Sequence, residues 1–307
     1  VMMRSPRFFS IACRAPDGSI VQKTERIEET WVGRQKWLKA PFLRGSLALF
    51  DSMALGIRAM RFASSVQMQG DESMPKGRVQ DAAISATIVT SLAFGIGLFV
   101  ILPNFLAQFL EKGGANGTTI NLVAEIIKIV FFLGYIGLIS RLKEIREVFK
   151  YHGAEHKSIN AFEAHQDLTV ENAQAQTRLH PRCGTSFAII VLLVSLLIFT
   201  FVPRYPLGES THYLFNVLVR VAVELAILPL ISGISYELIR IAGRFRSQRW
   251  VNLLFAPGLM SQYMTTREPE SDKVEVALAA LRSVIAAEEA GEVRPDDVEP
   301  EPALAMP

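Results

Sequence analysis

Four long apolar segments dominate the pattern of hydrophobic and polar positions along the chain. Each is about as long as a helix that crosses the roughly 30 Å hydrocarbon core of a bilayer. The segments cover residues 82–102, 120–140, 186–202 and 216–236. The pattern therefore predicts a mainly α, polytopic membrane protein with about four transmembrane helices.

Shorter periodic patterns precede these segments. Apolar and polar residues alternate over residues 8–27 on both sides of "APDG", in which proline fixes one turn residue and glycine tolerates a positive φ. This pattern predicts an N-terminal β-hairpin. Over residues 42–66 apolar residues recur at helical spacing but are interrupted by charges and glycines, which predicts an amphipathic helix in the membrane interface.

Basic residues are unevenly distributed among the connections between the apolar segments. The chain is rich in Lys and Arg before the first segment, between the second and third, and after the last, whereas the other two connections contain only Lys112 and Arg204. Cytoplasmic loops carry such an excess of basic residues. We therefore expect a protein of the inner (cytoplasmic) membrane, with both termini and the loop at residues 141–185 in the cytoplasm.

Composition adds three constraints. Half of the residues are hydrophobic, and the formal net charge of +2 hides the uneven distribution of basic residues. The basic cytoplasmic face favours contact with anionic membrane lipids, and no basic groove with interleaved aromatic residues indicates nucleic-acid binding. Both cysteines, Cys13 and Cys183, would lie on the reducing side, so no structural disulfide is expected.

Two patterns follow the last apolar segment. Residues 272–289 have an apolar face at helical spacing, which predicts an amphipathic helix packed on the cytosolic domain. The acidic, proline-rich end of the chain cannot bury a core and is predicted to be disordered. The predicted units are a cytosolic hairpin (1–30), the interfacial helix and a linker (31–78), two transmembrane helices (79–140), a cytosolic loop (141–185), two further transmembrane helices (186–236), a cytosolic segment with its amphipathic helix (237–289) and the tail (290–307).

The middle loop contains the stretch "YHGAEHKSINAFE", residues 151–163. Its H-x-x-E-H pattern is that of the inverted zinc-hydrolase signature. On a helix the i, i+4 spacing brings the rings of His152 and His156 to one metal ion, and Glu155 then becomes a candidate general base. Glu163 lies on the same face, but two turns further on, so it would share an ion with His152 only if the helix bends.

A second stretch of this loop, "RLHPRCGTSF", supplies His180 and Cys183 immediately before the third apolar segment. A divalent transition metal, with zinc preferred, accepts both imidazole and thiolate ligands. Four protein ligands would make a structural site, and three plus a water would make a catalytic one. Simpler interpretations remain open: histidines that bind lipid headgroups, a packed cysteine in a turn, and a solvated carboxylate at Glu163.

Charged residues also occur inside two of the apolar segments. Glu125 and Lys128 are three residues apart in the second segment, and Arg220 and Glu224 are four apart in the fourth. Charges at this depth are costly and usually face the interior of the bundle in pairs. We expect the two pairs to meet between the helices as structural ion pairs, with an ion or proton path as the alternative.

Several motifs in one order resemble those of the YqhQ-like family of bacterial membrane proteins. They are "VMMRSP", "APFLRGSLALFDSMALGIRAM", the two stretches of the middle loop, and "PGLMSQYMTTREPESDKVEVALAAL". The family has a domain of unknown function and is often labelled as predicted metal-dependent enzymes. The resemblance implies site positions at His152, Glu155, His156, Glu163, His180 and Cys183, and further family-like positions at Arg44, Gly45, Arg182, Thr266, Arg267 and Glu268.

Three functions follow from these features. The first is a metal-dependent hydrolase at the cytosolic membrane surface that acts on a lipid-linked or peptide bond, with Glu155 as the base. The second is a non-enzymatic adaptor or assembly factor with a structural metal, which docks a protein partner at its cytosolic face. A transporter is the third, suggested by the charged segments alone. No pattern indicates an oligomeric state.

Overall fold

The computed structural model describes residues 1–27, 43–67, 78–181, 183–208, 213–244 and 249–291. The linker predicted after the interfacial helix, at residues 67–76, lies outside this part of the chain except for Gln67. So does the predicted disordered tail, apart from its first two residues.

The described chain is mainly helical, with a small sheet at its start. The strands are β1 (Met2–Arg4), β2 (Phe8–Arg14) and β3 (Ile20–Arg26). The helices are α1 (Leu43–Gln67), α2 (Arg78–Ile96), α3 (Leu102–Gln108), α4 (Gly117–Ile139), α5 (Lys143–Glu163), α6 (Val170–Gln174), α7 (Gly184–Phe201), α8 (Tyr213–Arg244), α9 (Arg249–Thr265) and α10 (Ser271–Ala290). A π-helical turn at Gly97–Ile101 joins α2 to α3.

Four helical segments are long and apolar enough to cross a membrane. They are Ser85–Gln108, Gly117–Ile139, Gly184–Phe201 and Phe215–Ile241. The first of them contains the π-helical turn. Pro103, which follows this turn, has no backbone N–H and cannot donate a helical hydrogen bond. These segments confirm the predicted polytopic, mainly α fold.

The predicted hairpin is present, and the structure adds a third strand to it. Strands β2 and β3 pair antiparallel from Phe8 opposite Arg26 to Arg14 opposite Ile20, around a turn in which Gly18 has φ +87°. Strand β1 pairs antiparallel with the other edge of β2, and Met2 lies opposite Ile11. The alternation of apolar and polar residues did not predict β1, because a strand of three residues is too short to show that pattern.

The sheet packs on helices through both faces. Phe9, Ile11 and the other side chains of one face contact Leu55 and Val66 of α1. On the opposite face, Ala12 lies in a second core with residues of α10, including Leu278. The amphipathic helix predicted at residues 272–289 therefore covers one face of the sheet, as expected from its apolar side.

Helix α1 connects the sheet to the fourth apolar segment. At its first turn, a Cβ atom added to Gly45 would lie 2.6 Å from Tyr236 Cβ and 3.0 Å from Gly233 Cα, so glycine is required for this close approach to α8. One residue later, Ser46 Oγ donates to the Pro229 carbonyl at 2.7 Å. The interfacial helix is thus held at one end by α8 and at the other by the sheet.

The charged residues of the apolar segments meet inside the bundle, as predicted. Lys128 Nζ lies 2.7 Å from a carboxylate oxygen of Glu125 on its own helix and 2.7 Å from one of Glu224 on α8. Arg220 Nε donates to Glu224 at 3.0 Å, and Ser195 Oγ of α7 donates to Glu125 at 2.6 Å. This buried charge cluster therefore links α4, α7 and α8.

Replacing the central cation of this cluster should destabilise the bundle. In Lys128→Met the buried carboxylate of Glu125 would lose its cation, and Arg220 would be left to compensate two buried carboxylates, at an expected cost of about 3 to 5 kcal/mol in the free energy of unfolding. Denaturant titration of the protein in detergent micelles measures this cost. Lys143→Met, which alters an exposed lysine, is the matched control, and equal stability of the two variants would contradict the structural role of the cluster.

Candidate metal centre

Helix α5 carries most of the predicted site, and a glycine fixes how it packs. A Cβ atom added to Gly153 would overlap the carbonyl oxygen of Arg267 and lie 3.3 Å from its carbonyl carbon. The Arg267 amide also donates to the Phe149 carbonyl at 2.8 Å. The chain that follows α9 therefore crosses α5 in direct backbone contact, one residue away from His152.

Three predicted ligands come together beside this crossing. His152 Nε2 lies 3.2 Å from the sulfur of Cys183, and the rings of His152 and His156 are 4.4 Å apart between centroids. One ligand atom from each of the three residues lies within 4.8 Å of the other two. All three side chains are buried. We call these residues the His/His/Cys cluster.

Both imidazoles are oriented by backbone carbonyl groups. His152 Nδ1 lies 2.8 Å from the Thr265 carbonyl oxygen, and His156 Nδ1 lies 2.7 Å from that of Arg178. Because a carbonyl group only accepts, each Nδ1 carries the hydrogen, and a neutral ring then has its lone pair on Nε2. A backbone carbonyl that fixes the ring and its tautomer in this way is typical of metal-binding histidines.

Cys183 is the N-cap residue of α7, immediately before the third apolar segment. Burial raises the pKa of its thiol, but hydrogen bonds from Thr185, and the hydrogen bond and charge that His156 supplies when its ring is protonated, outweigh that effect and lower the pKa overall. The Thr185 hydroxyl lies 3.2 Å from the sulfur. The start of a helix also favours the anionic form, the thiolate that binds metal ions.

Glu155 is buried beside the cluster. Burial raises the pKa of its carboxyl group to about 7, although the charge of His152 opposes this shift. Cys183 acts in the same direction as burial. The carboxyl group is therefore close enough to two members of the cluster for their charges to affect its protonation.

His180 and Glu163 form a separate pair next to the cluster. His180 Nε2 lies 3.4 Å from a carboxylate oxygen of Glu163, and the rings of His180 and His156 are 5.8 Å apart between centroids. Among the described residues, the group of potential ligand atoms contains neither of them. The structure thus brings three of the five predicted ligands together and places the other two in an adjacent imidazole–carboxylate pair.

Gln262 and residues near it support the site, and periodicity alone does not indicate their roles. The side chain of Gln262 accepts from the His180 amide at 2.8 Å and donates to the His180 carbonyl at 2.6 Å. Lys157 donates to the carbonyl groups of Gln174, the last residue of α6, and Gln176, and it pairs with Glu268 at 2.5 Å. The family resemblance identifies Glu268 as a family-like position without indicating this contact.

The raised pKa of Glu155 predicts how the stability of the metal-free protein depends on pH. Because the folded pKa lies above the ordinary 4.5, the free energy of unfolding should fall as pH rises from about 4.5 to about 7. The free energy of unfolding of Glu155→Gln should not fall in this way. Between these two pH values it should therefore rise by up to about 3 kcal/mol relative to that of wild type.

Denaturant titration of chelator-treated protein at about pH 5 and about pH 8 tests this expectation. Glu171→Gln, which removes an exposed carboxylate, is the control and should follow the wild-type pH dependence. If the free energy of unfolding of Glu155→Gln changed with pH as that of wild type does, the Glu155 carboxyl group would not be desolvated.

The close contact at Gly153 predicts that a larger side chain destabilises the protein, and a second glycine without such a contact serves as the control. Gly153→Ala should destabilise the protein, because the obstacle to the new methyl group is backbone rather than a flexible side chain. Gly134→Ala in α4, where nothing lies within 4 Å of the added atom, should be neutral or stabilising by up to about 1 kcal/mol. Equal melting temperatures for the two variants would contradict the crossing described above.

Comparison with known proteins identifies the family. Residues 40–287 match the family model described as "Protein of unknown function (DUF1385)". The chain is 32% identical over 295 residues to "Uncharacterized protein YqhQ" of Bacillus subtilis (strain 168), with 93% of this chain and 89% of that protein covered. No solved structure matches the chain. The family match includes the four apolar segments and the His/His/Cys cluster, and the chain therefore belongs to the DUF1385 family.

Proposed function

We propose that the His/His/Cys cluster binds one divalent transition metal ion, with zinc preferred. The observation that carries this proposal is the convergence of one ligand atom from each of three buried residues within 4.8 Å. Two imidazoles held by backbone carbonyl groups and a thiol of lowered pKa form a donor set that suits zinc. Ordinary packing does not require this combination of oriented imidazoles and a thiol of lowered pKa.

We infer further that the protein is a metal-dependent hydrolase. Three protein ligands leave one position of a tetrahedral ion open, which is typical of catalytic rather than structural zinc. A zinc ion in this position would act as a Lewis acid toward a carbonyl or phosphoryl oxygen. Glu155 would take the proton from the attacking water, and a pKa near 7 suits a general base at neutral pH.

The position of the cluster indicates where the substrate would be cut. Cys183 directly precedes the membrane segment Gly184–Phe201, so the cluster lies at the membrane boundary. The scissile bond would then be close to lipid headgroups, as in a lipid-linked compound or a membrane-anchored peptide. The distribution of Lys and Arg favours the cytoplasmic side of the inner membrane for this end of the bundle.

A structural metal in a membrane adaptor is the second candidate. The observation in its favour is that the ligands are buried and belong to two elements, α5 and the start of α7. An ion would join these elements and hold the sheet, α1 and α10 as a docking surface for a protein partner. The two candidates differ in whether the ion keeps an exchangeable ligand.

Metal analysis of purified protein tests the site itself. Protein prepared without chelator should contain about one equivalent of zinc, and His156→Ala or Cys183→Ala should reduce this to the background. His165→Ala, at an exposed histidine, and Cys13→Ala, at a buried cysteine of the sheet, are the matched controls and should retain the metal. Equal metal content in all four variants, or no metal in folded wild type, would contradict the proposal.

Cobalt substitution then distinguishes the enzyme from the adaptor. If the ion has an open position, azide should change the visible spectrum of the cobalt protein, and Glu155→Gln should bind cobalt as wild type does. His180→Ala should leave the spectrum unchanged, because His180 is not one of the three ligands. A spectrum insensitive to azide would favour the adaptor, and loss of cobalt in Glu155→Gln would make Glu155 a ligand instead of the base.

A further inference from the structure

The end of the bundle opposite the His/His/Cys cluster contains a small cleft. It lies where α3 and α8 meet the chain that follows α7. Its lining includes two arginines and four uncharged polar side chains: Arg204, Arg220, Asn104, Gln108, Tyr205 and Asn216. The two guanidinium groups in this lining would give an anionic ligand its charge partners.

Arg220 has an unfulfilled hydrogen-bonding capacity in this cleft. Its side chain is 5% exposed, and its Nε donates to Glu224 at 3.0 Å. Its Nη1 and Nη2 atoms are buried and have no hydrogen-bond partner among the residues that the structure describes. Leaving a buried charged donor unpaired is costly, so the arrangement points to an acceptor that completes it.

Glu224 is already occupied by other donors. Besides the Arg220 Nε group, its carboxylate accepts from Lys128 at 2.7 Å and from Asn104 at 3.0 Å. It therefore has little capacity left for the two free nitrogens of Arg220. The missing acceptor has to come from the cleft side.

The charge balance around the cleft also favours an anion. Arg204 donates to the side-chain oxygen of Asn104 at 2.9 Å and to its carbonyl at 3.2 Å, which fixes this second guanidinium group beside the cleft. Arg204 and Arg220 line the cleft, and none of the described carboxylates does. Glu111, which accepts from the Tyr205 hydroxyl at 2.9 Å, does not line the cleft.

We propose that this cleft binds an anionic phosphate group. The Nη1 and Nη2 atoms of Arg220 would donate to its oxygens, since the planar guanidinium fork matches phosphate geometry. Arg204 would add a second positive charge. Such a group comes either from the headgroup of an anionic phospholipid at this membrane boundary or from free inorganic phosphate. The proposal is independent of the metal site at the other end of the bundle.

A single substitution can fill the site without breaking the charge cluster. Asn216 lies one helical turn before Arg220 and also lines the cleft, so Asn216→Asp would place a carboxylate where the phosphate is expected. Asn116→Asp makes the same chemical change at the N-cap of α4, at the same end of the bundle but outside the cleft. Aspartate is as good an N-cap as asparagine, so this control should fold normally.

Binding to the full-length protein in a neutral detergent is then measured by thermophoresis. The probes are dihexanoyl-phosphatidylglycerol, dihexanoyl-phosphatidylcholine and inorganic phosphate. Wild type and Asn116→Asp should bind phosphatidylglycerol or phosphate with similar dissociation constants, and Asn216→Asp should bind at least about tenfold more weakly. Binding of phosphatidylglycerol alone identifies a lipid headgroup as the source, and binding of inorganic phosphate identifies a free anion.

Two results would overturn the proposal. One is that neither phosphatidylglycerol nor phosphate binds better than phosphatidylcholine. The other is that Asn216→Asp binds as wild type does. Should Asn216→Asp fail to fold, Arg204→Gln serves as the second variant, because it removes a cation of the cleft and leaves the ion pairs of Glu125, Lys128 and Glu224 intact. Unchanged binding in that variant would equally reject the site.

Discussion

The backbone contact between α5 and the chain after α9 is the constraint on which the candidate metal centre depends. Gly153 allows the Arg267 carbonyl to lie against the helix, and this crossing places the Thr265 carbonyl beside the ring of His152. Without that acceptor the ring would lose the contact that assigns the hydrogen to Nδ1. The orientation of the His152 ring therefore results from a backbone approach that any side chain at position 153 would block.

Much of the fold could be predicted from the sequence because apolar length and periodicity are local properties. The four membrane segments, the hairpin and α10 are of this kind, and so is the i, i+4 pair of His152 and His156. The oriented carbonyl groups of Thr265 and Arg178 could not be predicted, because backbone atoms carry no residue-specific signal and these contacts cross the chain. The pairing of His180 with Glu163 was missed for a related reason, since helical spacing shows which residues share a face but not which loop covers them.

The two ends of the bundle use buried polar groups in different ways. In the charge cluster the carboxylates of Glu125 and Glu224 are matched by Lys128 and Arg220, so the ion pairs hold α4 and α8 together. At the other end, burial raises the pKa of Glu155, and the charges of His152 and Cys183 act on it in opposite directions. A paired cluster is consistent with a structural role, whereas a desolvated carboxyl group beside potential metal ligands is typical of a reactive site.

The central claim is that His152, His156 and Cys183 bind one ion together. X-ray absorption at the zinc edge of purified protein tests it most directly, because sulfur and imidazole ligands are distinguished by their distances. We predict one sulfur at about 2.3 Å and two imidazole nitrogens at about 2.0 Å from the metal. A first shell that contains only oxygen, or a sulfur signal that persists in Cys183→Ala, would contradict the assignment.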